Sequence, residues 1–465
     1  MPNNVIVFEQ HWQDYGPLAL TRPVYGLRIG TSTLAEKLAE SYPDAAIHFR
    51  ARNHIAPTID QIVYFKQIFS RGGVTVNNDA ILQQGGLFID GAVIAVLSEM
   101  PAAQGPDEIG VVQQSFIENG KTIERERVVY ARLSTAGVMA AGSPQTLLNT
   151  PRDTGLPVKD VTGQIKIAGF PWELVINNAP AIEAEYKTRK KGGSAPDGVI
   201  VLGKAECWFS PKCSVSPGVV IDLRGGHGVY VGDGVEIQGN VTIDARTGPV
   251  ILEDCTGSRT VVESQSLIQG PVYIGPVNLI KQATVREGCS FGPVCRVGGE
   301  IEETIIVGYS NKQHYGYMGH CVIGEWVNWG AGTTNSNLKN DYSSVVVELS
   351  HGRRIDSGQN KTVGCYIGDH TKTALSTMLN TGTVIGVMSN ILMNTVTEDK
   401  YLPSYCIYDN GRILLNRSGV KTAEIVMSRR NMPMTAEYKQ LYEHISAELR
   451  DETREMAKAS KEKRQ

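Results

Sequence analysis

"IGDHTKTALSTMLNTGTVIGVMSNI", residues 367–391, is the stretch that decides the fold. Ile367, Thr373, Leu379, Ile385 and Ile391 recur six apart, and Gly follows the Ile at 367 and at 385. The segment is too rich in Gly, Thr and Asn for a helix and too regular for a loop. The same spacing runs through Val231, Ile237, Ile243, then Ile268, Ile274, Ile280, then Val285, Phe291, Val297, and again Ile323, Trp329. Such a repeat predicts a parallel β-helix. Each hexad supplies a short strand and a turn. One branched side chain points inward, and a small neighbour lets the chain bend. Three hexads close a triangular coil of roughly 18 residues, and coils stack ~4.8 Å apart through inter-coil backbone hydrogen bonds. A slip of one residue would turn every inward side chain outward, so the register is strongly specified.

Outward from this array, the register breaks at "GYSNKQHYGYMGHC" (308–321) and "TTNSNLKNDYSSVVVELSHGRRIDSGQNKTV" (333–363). Long insertions in a repeat are expected as loops on one face, often the binding face. Residues 435–464 read as one charged helix with Leu441, Ile445 and Leu449 on one side. Before the array, residues 168–198 read as a connector helix ending in Lys187, Arg189, Lys190 and Lys191 and then a Gly/Ser/Pro linker. Residues 1–167 alternate strands (5–8, 46–51, 73–79, 86–97, 111–118) with helices at 32–42, capped by Ser32, and at 143–149. That alternation predicts an α/β domain with a mostly parallel sheet. The expected domains are therefore 1–167, 168–198, 199–430 and 431–465.

The 465 residues suit two to three domains, and a formal net charge of -3 gives no bias toward nucleic acid or anionic membranes. No apolar run reaches the roughly 18 residues of a membrane span. "MPNNVIVFEQHWQDYG" reads as a first buried strand and not as a leader. The eight Cys (207, 213, 255, 289, 295, 321, 365, 406) form no CxxC pair and no zinc spacing, which suits free thiols in a reducing cytoplasm.

The first register break gathers His314, Tyr315, Tyr317 and His320, followed by "NWGAGTTNSNLKND" (328–341). A His beside aromatics and amides can serve as a general base near neutral pH. "HYGYMGHCVIGEWVNWGAGTTNSN" (314–337) resembles the acetyltransferase half of the bifunctional glucosamine-1-phosphate acetyltransferase / N-acetylglucosamine-1-phosphate uridylyltransferase family. The resemblance implies that the β-helix is left-handed. It puts His314 on the general base, Tyr317 on a sugar-phosphate contact, Asn337 on the acceptor site and Gly332 within the family's Gly-Ala-Gly-Thr run. Leu338 stands where the family has Tyr, and the insertion 339–362 is longer than in well-known members.

At the other end, "PLALTRPVYGLRIGTSTLAEKL" (17–38) resembles the segment that follows the Gly-rich loop of sugar nucleotidylyltransferases, although that loop is missing after "VIVF". It is similar above all to a divergent branch whose chains continue into a β-helix with "NLKN" and "GDHxKT" segments, present here at 337–340 and 368–373. The resemblance implies an N-terminal domain transferring a nucleotidyl group to a sugar 1-phosphate with Mg²⁺. Arg22, Arg28 and Lys37 become candidate phosphate contacts. Asp79, ending "VTVNND", and Asn178, in "VINN", become candidate metal ligands. Acetyl-CoA would lie between neighbouring copies of a cytoplasmic homotrimer, with Arg353, Arg354, Lys361, Lys372 and Lys421 as candidate phosphate contacts and backbone N–H groups near Gly332 facing the oxyanion. Two other readings keep only part of this: nucleotidyl transfer alone with the β-helix as an assembly module, or a first half that binds sugar nucleotide without catalysis.

Overall fold

The computed structural model describes residues 3–62, 65–94, 100–253, 259–393, 396 and 399–462. Its second half is a prism of stacked short parallel strands. One flank runs from Trp208–Phe209 to Tyr401–Leu402, each strand paired in parallel with the next. A second flank runs from Ile200–Gly203 through Glu300 and Tyr317. The third runs from Ser214–Val215 through Arg296 and Asn311. Every apolar hexad position predicted to point inward is buried in one cluster, and Thr373 is buried among them. Later coils are short, as expected: Thr284 pairs with Glu300 and Glu300 with Tyr317. Early coils are longer, because Val220 pairs with Thr242 and Thr242 with Leu267. Their corners carry extra residues held by side-chain turns, with Asp222 accepting from the Arg224 N–H and Asp244 from the Arg246 N–H, both at 3.1 Å.

The N-terminal sheet is mixed. Asn4–Phe8 lies between Ala46–Phe49 and Gly86–Asp90, all parallel, and Thr75–Val76 extends the Ala46 side in parallel. Beyond Gly86–Asp90 the sheet turns antiparallel through Lys121–Leu133 and Glu108–Glu118. Lys121–Leu133, the longest strand here, went unpredicted because half of its length is charged and solvated. The expected strand at 86–97 ends at Asp90, and its last residues, 95–97, lie outside the described residues, as does Cys255. The first helix, Leu34–Ser41, is capped by Thr33 in a capping box with Glu36, and not by Ser32.

The long insertion departs from its expectation. Val346–Ser350 and Arg353–Asp356 form a hairpin that leaves the prism and adds two antiparallel strands to the edge of the N-terminal sheet, Ile355 opposite Glu118. The backbone N–H of Asn119 donates to the Arg354 carbonyl at 2.8 Å. Arg353 is ion-paired with Asp14 (2.6 Å) and Glu118 (3.2 Å), and Asp14 also takes Arg125 at 2.7 Å. Arg353 therefore fastens the hairpin to the sheet instead of facing a ligand.

The segment expected to hold phosphate is likewise structural. Arg22, Arg28 and Lys37 are 5%, 3% and 1% exposed. Arg22 is ion-paired with Asp369 and, at 3.3 Å, with Glu325, both on the prism, and Thr21 donates to Asp369 at 2.7 Å. Arg28 donates to the Thr31 carbonyl and lies over the Tyr273 ring. Lys37 pairs with Glu185 on the helix Asn178–Tyr186. Asn178 accepts from the Gly30 N–H and donates to the Gly288 carbonyl. The motif thus docks one domain on the other. The apolar part of this interface joins Val24, Leu27 and Ile29 to Ile305, Val322 and Tyr366.

The C-terminal stretch folds as Gly419–Ser428, Ala436–Glu448 and Arg450–Glu462, so the single helix expected at 435–464 is two, divided at Leu449. Leu441 and Ile445 are buried as predicted, and the Tyr405 hydroxyl donates to the Tyr442 carbonyl at 2.6 Å.

Removing one member of a buried ion pair strands its partner, at a cost of about 3–5 kcal/mol. Asp369→Ala is expected to lower unfolding stability by that amount and to open the linker to limited proteolysis. A change below about 1 kcal/mol in urea unfolding would show that Glu325 alone holds Arg22.

Candidate functional site

Where the prism's third flank turns into its second, the chain bulges out as Gln313–Gly316 between the strands Asn311–Lys312 and Tyr317–Gly319. His314 sits on this bulge, exposed, and its ring makes no hydrogen bond among the described residues. It lines a cleft of about 320 Å³ with Asn311, Asn328, Trp329, Gly330 and Ala331. The cleft is rigid at its floor. The Gly330 N–H donates to Thr373 Oγ1 at 2.8 Å, and the Trp329 indole donates to the Thr333 carbonyl at 2.8 Å. Gly332 has φ +74, and a Cβ there would lie 2.8 Å from the Tyr315 hydroxyl, so this position requires glycine. Its N–H already donates to the Tyr315 carbonyl at 3.0 Å and is not free to face an oxyanion.

Tyr317 and Asn337 do not line that cleft. They belong to a polar network along the same flank. The Tyr317 hydroxyl donates to Glu302 at 2.9 Å, and Asn337 Nδ2 reaches the Tyr317 oxygen and His320 Nδ1, each at 2.9 Å. Burial, then the Glu302 contact, pushes the Tyr317 phenol well up; burial pushes the His320 imidazole down. Arg286 lies 3.4 Å from Glu302. Glu302, His320 and Arg286 were not picked out from the sequence, because each is an ordinary outward position of a hexad until the coils are stacked.

A second groove, of about 340 Å³, shares Asn311 and Asn328 with the His314 cleft. Arg296, Lys372, Arg429 and Arg430 line it. Lys372 donates to the His370 carbonyl at 2.7 Å, and burial pulls its ammonium down to about 8. Arg430, at the end of the helix Gly419–Ser428, donates to Asn311 Oδ1 at 2.8 Å and so joins the two grooves. Of the basic residues expected to meet an acyl donor, Lys372 is placed here. Lys361 is exposed on the return from the hairpin, and Arg353 is the edge clamp described above.

In the N-terminal domain, a cleft of about 440 Å³ opens beside the carboxyl ends of Asn4–Phe8 and Ala46–Phe49. Asn4–Phe8 has the next strand on one side and Gly86–Asp90 on the other, the switch point where ligands of α/β sheets bind. Phe8, Phe88 and Leu147 form an apolar wall. At the rim, Arg52 lies over the Trp12 ring, 4.2 Å to its centroid, and donates to Glu9 at 2.9 Å. Arg50 reaches Asp79 at 2.8 Å. Asp79 is thus an exposed partner of an arginine, whereas Asn178 is fully buried at the domain interface. The two do not meet as a pair of Mg²⁺ ligands. Among the described residues no group of three His, Cys, Asp or Glu could hold a metal.

The Glu302 network adjoins Glu303, whose carboxyl is pushed up to about 7 by burial first and then by Glu287 and Glu302. A carboxyl raised on folding is stabilising while protonated. That contribution is present below the unfolded value near pH 4.5 and disappears as pH rises through about 7. Glu303→Gln is therefore expected to remove on the order of 1–2 kcal/mol of the stability lost between pH 5 and pH 8. Parallel denaturation curves for variant and wild type at the two pH values would contradict the assignment.

Residues 5–194 match the family model described as sugar nucleotidyl transferase. The chain is 37% identical over 99 residues to the "Bifunctional sugar-1-phosphate nucleotidylyltransferase/acetyltransferase" of Sulfurisphaera tokodaii, covering 21% of this chain and 24% of that protein. It is 30% identical over 185 residues to the "Bifunctional protein GlmU" of Methanococcus vannielii, covering 39% and 42%. Against the protein of the same name from Synechococcus it is 28% identical over 267 residues, covering 54% and 52%. The chain spans about a quarter to a half of the length of these curated relatives. No described helix is long and apolar enough to cross a membrane. The N-terminal part matches the sugar nucleotidyl transferase model and is joined to a hexapeptide-repeat β-helix, and the chain is similar to the bifunctional sugar-1-phosphate nucleotidylyltransferase/acetyltransferases.

Proposed function

We propose that this chain is a cytoplasmic two-part transferase of nucleotide-sugar synthesis. Its β-helix transfers an acetyl group from acetyl-CoA to the amine of a hexosamine 1-phosphate. Its N-terminal domain transfers a nucleotidyl group from a nucleoside triphosphate to a sugar 1-phosphate. The observation that carries the reading is the exposed imidazole of His314, free of protein hydrogen bonds among the described residues, in a cleft continuous with a groove of four cations.

The chemistry follows from that arrangement. The amine attacks the thioester carbonyl, the new N–C bond forms, and His314 takes the proton released by the nitrogen. The C–S bond breaks, and the CoA sulfur leaves as the thiol with the proton that His314 took up. Arg296, Lys372, Arg429 and Arg430 suit the phosphates of the donor. Tyr317, Asn337, Glu302 and Arg286 lie outside that cleft on the same flank, and are the polar groups we assign to the far end of the acceptor. Leu375, 70% exposed, lines the cleft, and Tyr315, 69% exposed, follows His314 on the bulge. Their apolar surface supports closure by a second copy of the chain in a homotrimer. For nucleotidyl transfer, the family match and the switch-point cleft rimmed by Arg50, Arg52 and Trp12 are the support. Asp79, exposed and paired with Arg50, and Asn178, buried at the domain interface, do not come together as a metal site.

His314→Ala should lower acetyl transfer by on the order of 10² to 10⁴ and leave assembly unchanged by light scattering. Near-full activity in that variant removes His314 from the mechanism. Arg430→Ala should raise KM for acetyl-CoA roughly tenfold with kcat little changed, as expected for loss of one charge-assisted contact of about 1.4 kcal/mol. An unchanged KM would place the donor elsewhere. The overall reading is decided by two assays on the wild type: thiol release from acetyl-CoA with glucosamine 1-phosphate, and pyrophosphate release from UTP or dTTP with sugar 1-phosphates. Pyrophosphate without thiol release would leave the β-helix as an assembly module.

A further inference from the structure

Inside the prism, the third flank's inward ladder reads Ile237, Val262, Ile280, Val297, and then Lys312. Lys312 is 1% exposed. Among the described residues it forms no ion pair with a carboxylate. Its ammonium donates instead to two carbonyls, Gly298 in the coil below and His314 two residues ahead, both at 2.8 Å. A charge in an apolar ladder is costly, and Val or Ile fills the equivalent place in the preceding coils. The carbonyl of His314 is thus tied, through one buried amine, to the coil beneath it.

The surroundings of the bulge are shaped to match. A Cβ on Gly298 would lie 2.2 Å from the Gln313 carbonyl oxygen, and one on Gly299 would lie 2.8 Å from that of His314. Gly299 has φ +72. The glycine pair leaves room for the bulge to lie close over the coil below. The Tyr315 carbonyl accepts from the Gly332 N–H in the coil above, and the Gly316 carbonyl accepts from the Glu300 N–H at 3.4 Å. Backbone ladders therefore hold Tyr315 and Gly316, whereas at His314 itself the carbonyl is held by the lysine.

We propose that Lys312 is a positioning residue for His314: from inside the β-helix it pins the backbone that presents the imidazole to the cleft. The proposal rests on the acyl-transfer reading for its catalytic consequence, and on geometry alone for the pinning. A merely space-filling lysine is replaceable by methionine, which matches its length and removes the donors. Burial pulls the ammonium down to about 8, with Glu300 acting the other way.

The test compares wild type, Lys312→Met and Lys312→Gln as full-length protein. Hydrogen–deuterium exchange without ligands reads the pinning. Exchange of Gln313–Gly316 should rise at least tenfold in Lys312→Met and less in Lys312→Gln, with the other coils unchanged. Acetyl transfer reads the consequence. kcat should fall about 10- to 100-fold in Lys312→Met with both KM values within twofold, and recover in part in Lys312→Gln. Unchanged exchange at 313–316, or faster exchange spread over the whole prism, overturns the proposal. A local rise in exchange with kcat unchanged overturns the positioning role. A wild type without acetyl transfer defeats the functional reading, and the exchange arm still decides whether Lys312 holds the bulge.

Discussion

The structure depends on the inter-coil ladder. Each short strand inside the stack bonds to the coil before and the coil after, so an inner coil cannot move without breaking two sets of backbone bonds. This makes each flank a plate of fixed register. On one plate the N-terminal domain docks through apolar side chains and the Arg22–Asp369–Glu325 cluster. At the corner between the other two, the ladder opens just enough for a bulge to carry an exposed imidazole. Rigidity around the bulge is what lets a residue on a loop be placed with the precision a reacting group needs.

The two candidate sites are built on different logic. The N-terminal cleft sits at the switch point of a sheet, with an apolar wall and cations only at its rim. The prism offers a polar corner and a groove of cations, part of which comes from the helix Gly419–Ser428 beyond the repeat. The C-terminal helices thus complete a surface that the coils alone leave open. They also cover the interdomain cluster, where His370 stacks on Trp326 and meets the Tyr442 hydroxyl at 3.2 Å.

Much of the fold was legible because the signal is periodic. Ile367, Thr373, Leu379, Ile385 and Ile391 are inward in space for the same reason that they are six apart in sequence. The corner bearing His314 was legible as a break in that period. What resisted reading were residues whose partners are distant along the chain. Arg22 looks like a phosphate ligand until Asp369 is brought to it, and Arg353 looks like a free cation until Asp14 is. A sequence shows a charge but not whether folding has already neutralised it. Lys312 was out of reach: steps of six from Val297 fall on 303, 309 and 315, and only the stacked coils bring Lys312 opposite Val297, where a lysine at an inward position is a local contradiction of the kind that marks a site.

The hairpin Val346–Ser350 and Arg353–Asp356 has a consequence for biogenesis. The sheet begun by residues 4–8 receives its last two strands only after most of the prism has been made. During translation Val158–Asp160 pairs only the Ile109–Val111 end of the Glu108–Glu118 edge, and its Glu118 end stays unsatisfied while several coils emerge, a template for mispairing between nascent chains. Charged residues along that strand and its neighbour, such as Glu118, Lys121 and Arg125, oppose such pairing in the interval. The two domains are therefore woven together in time as well as in space.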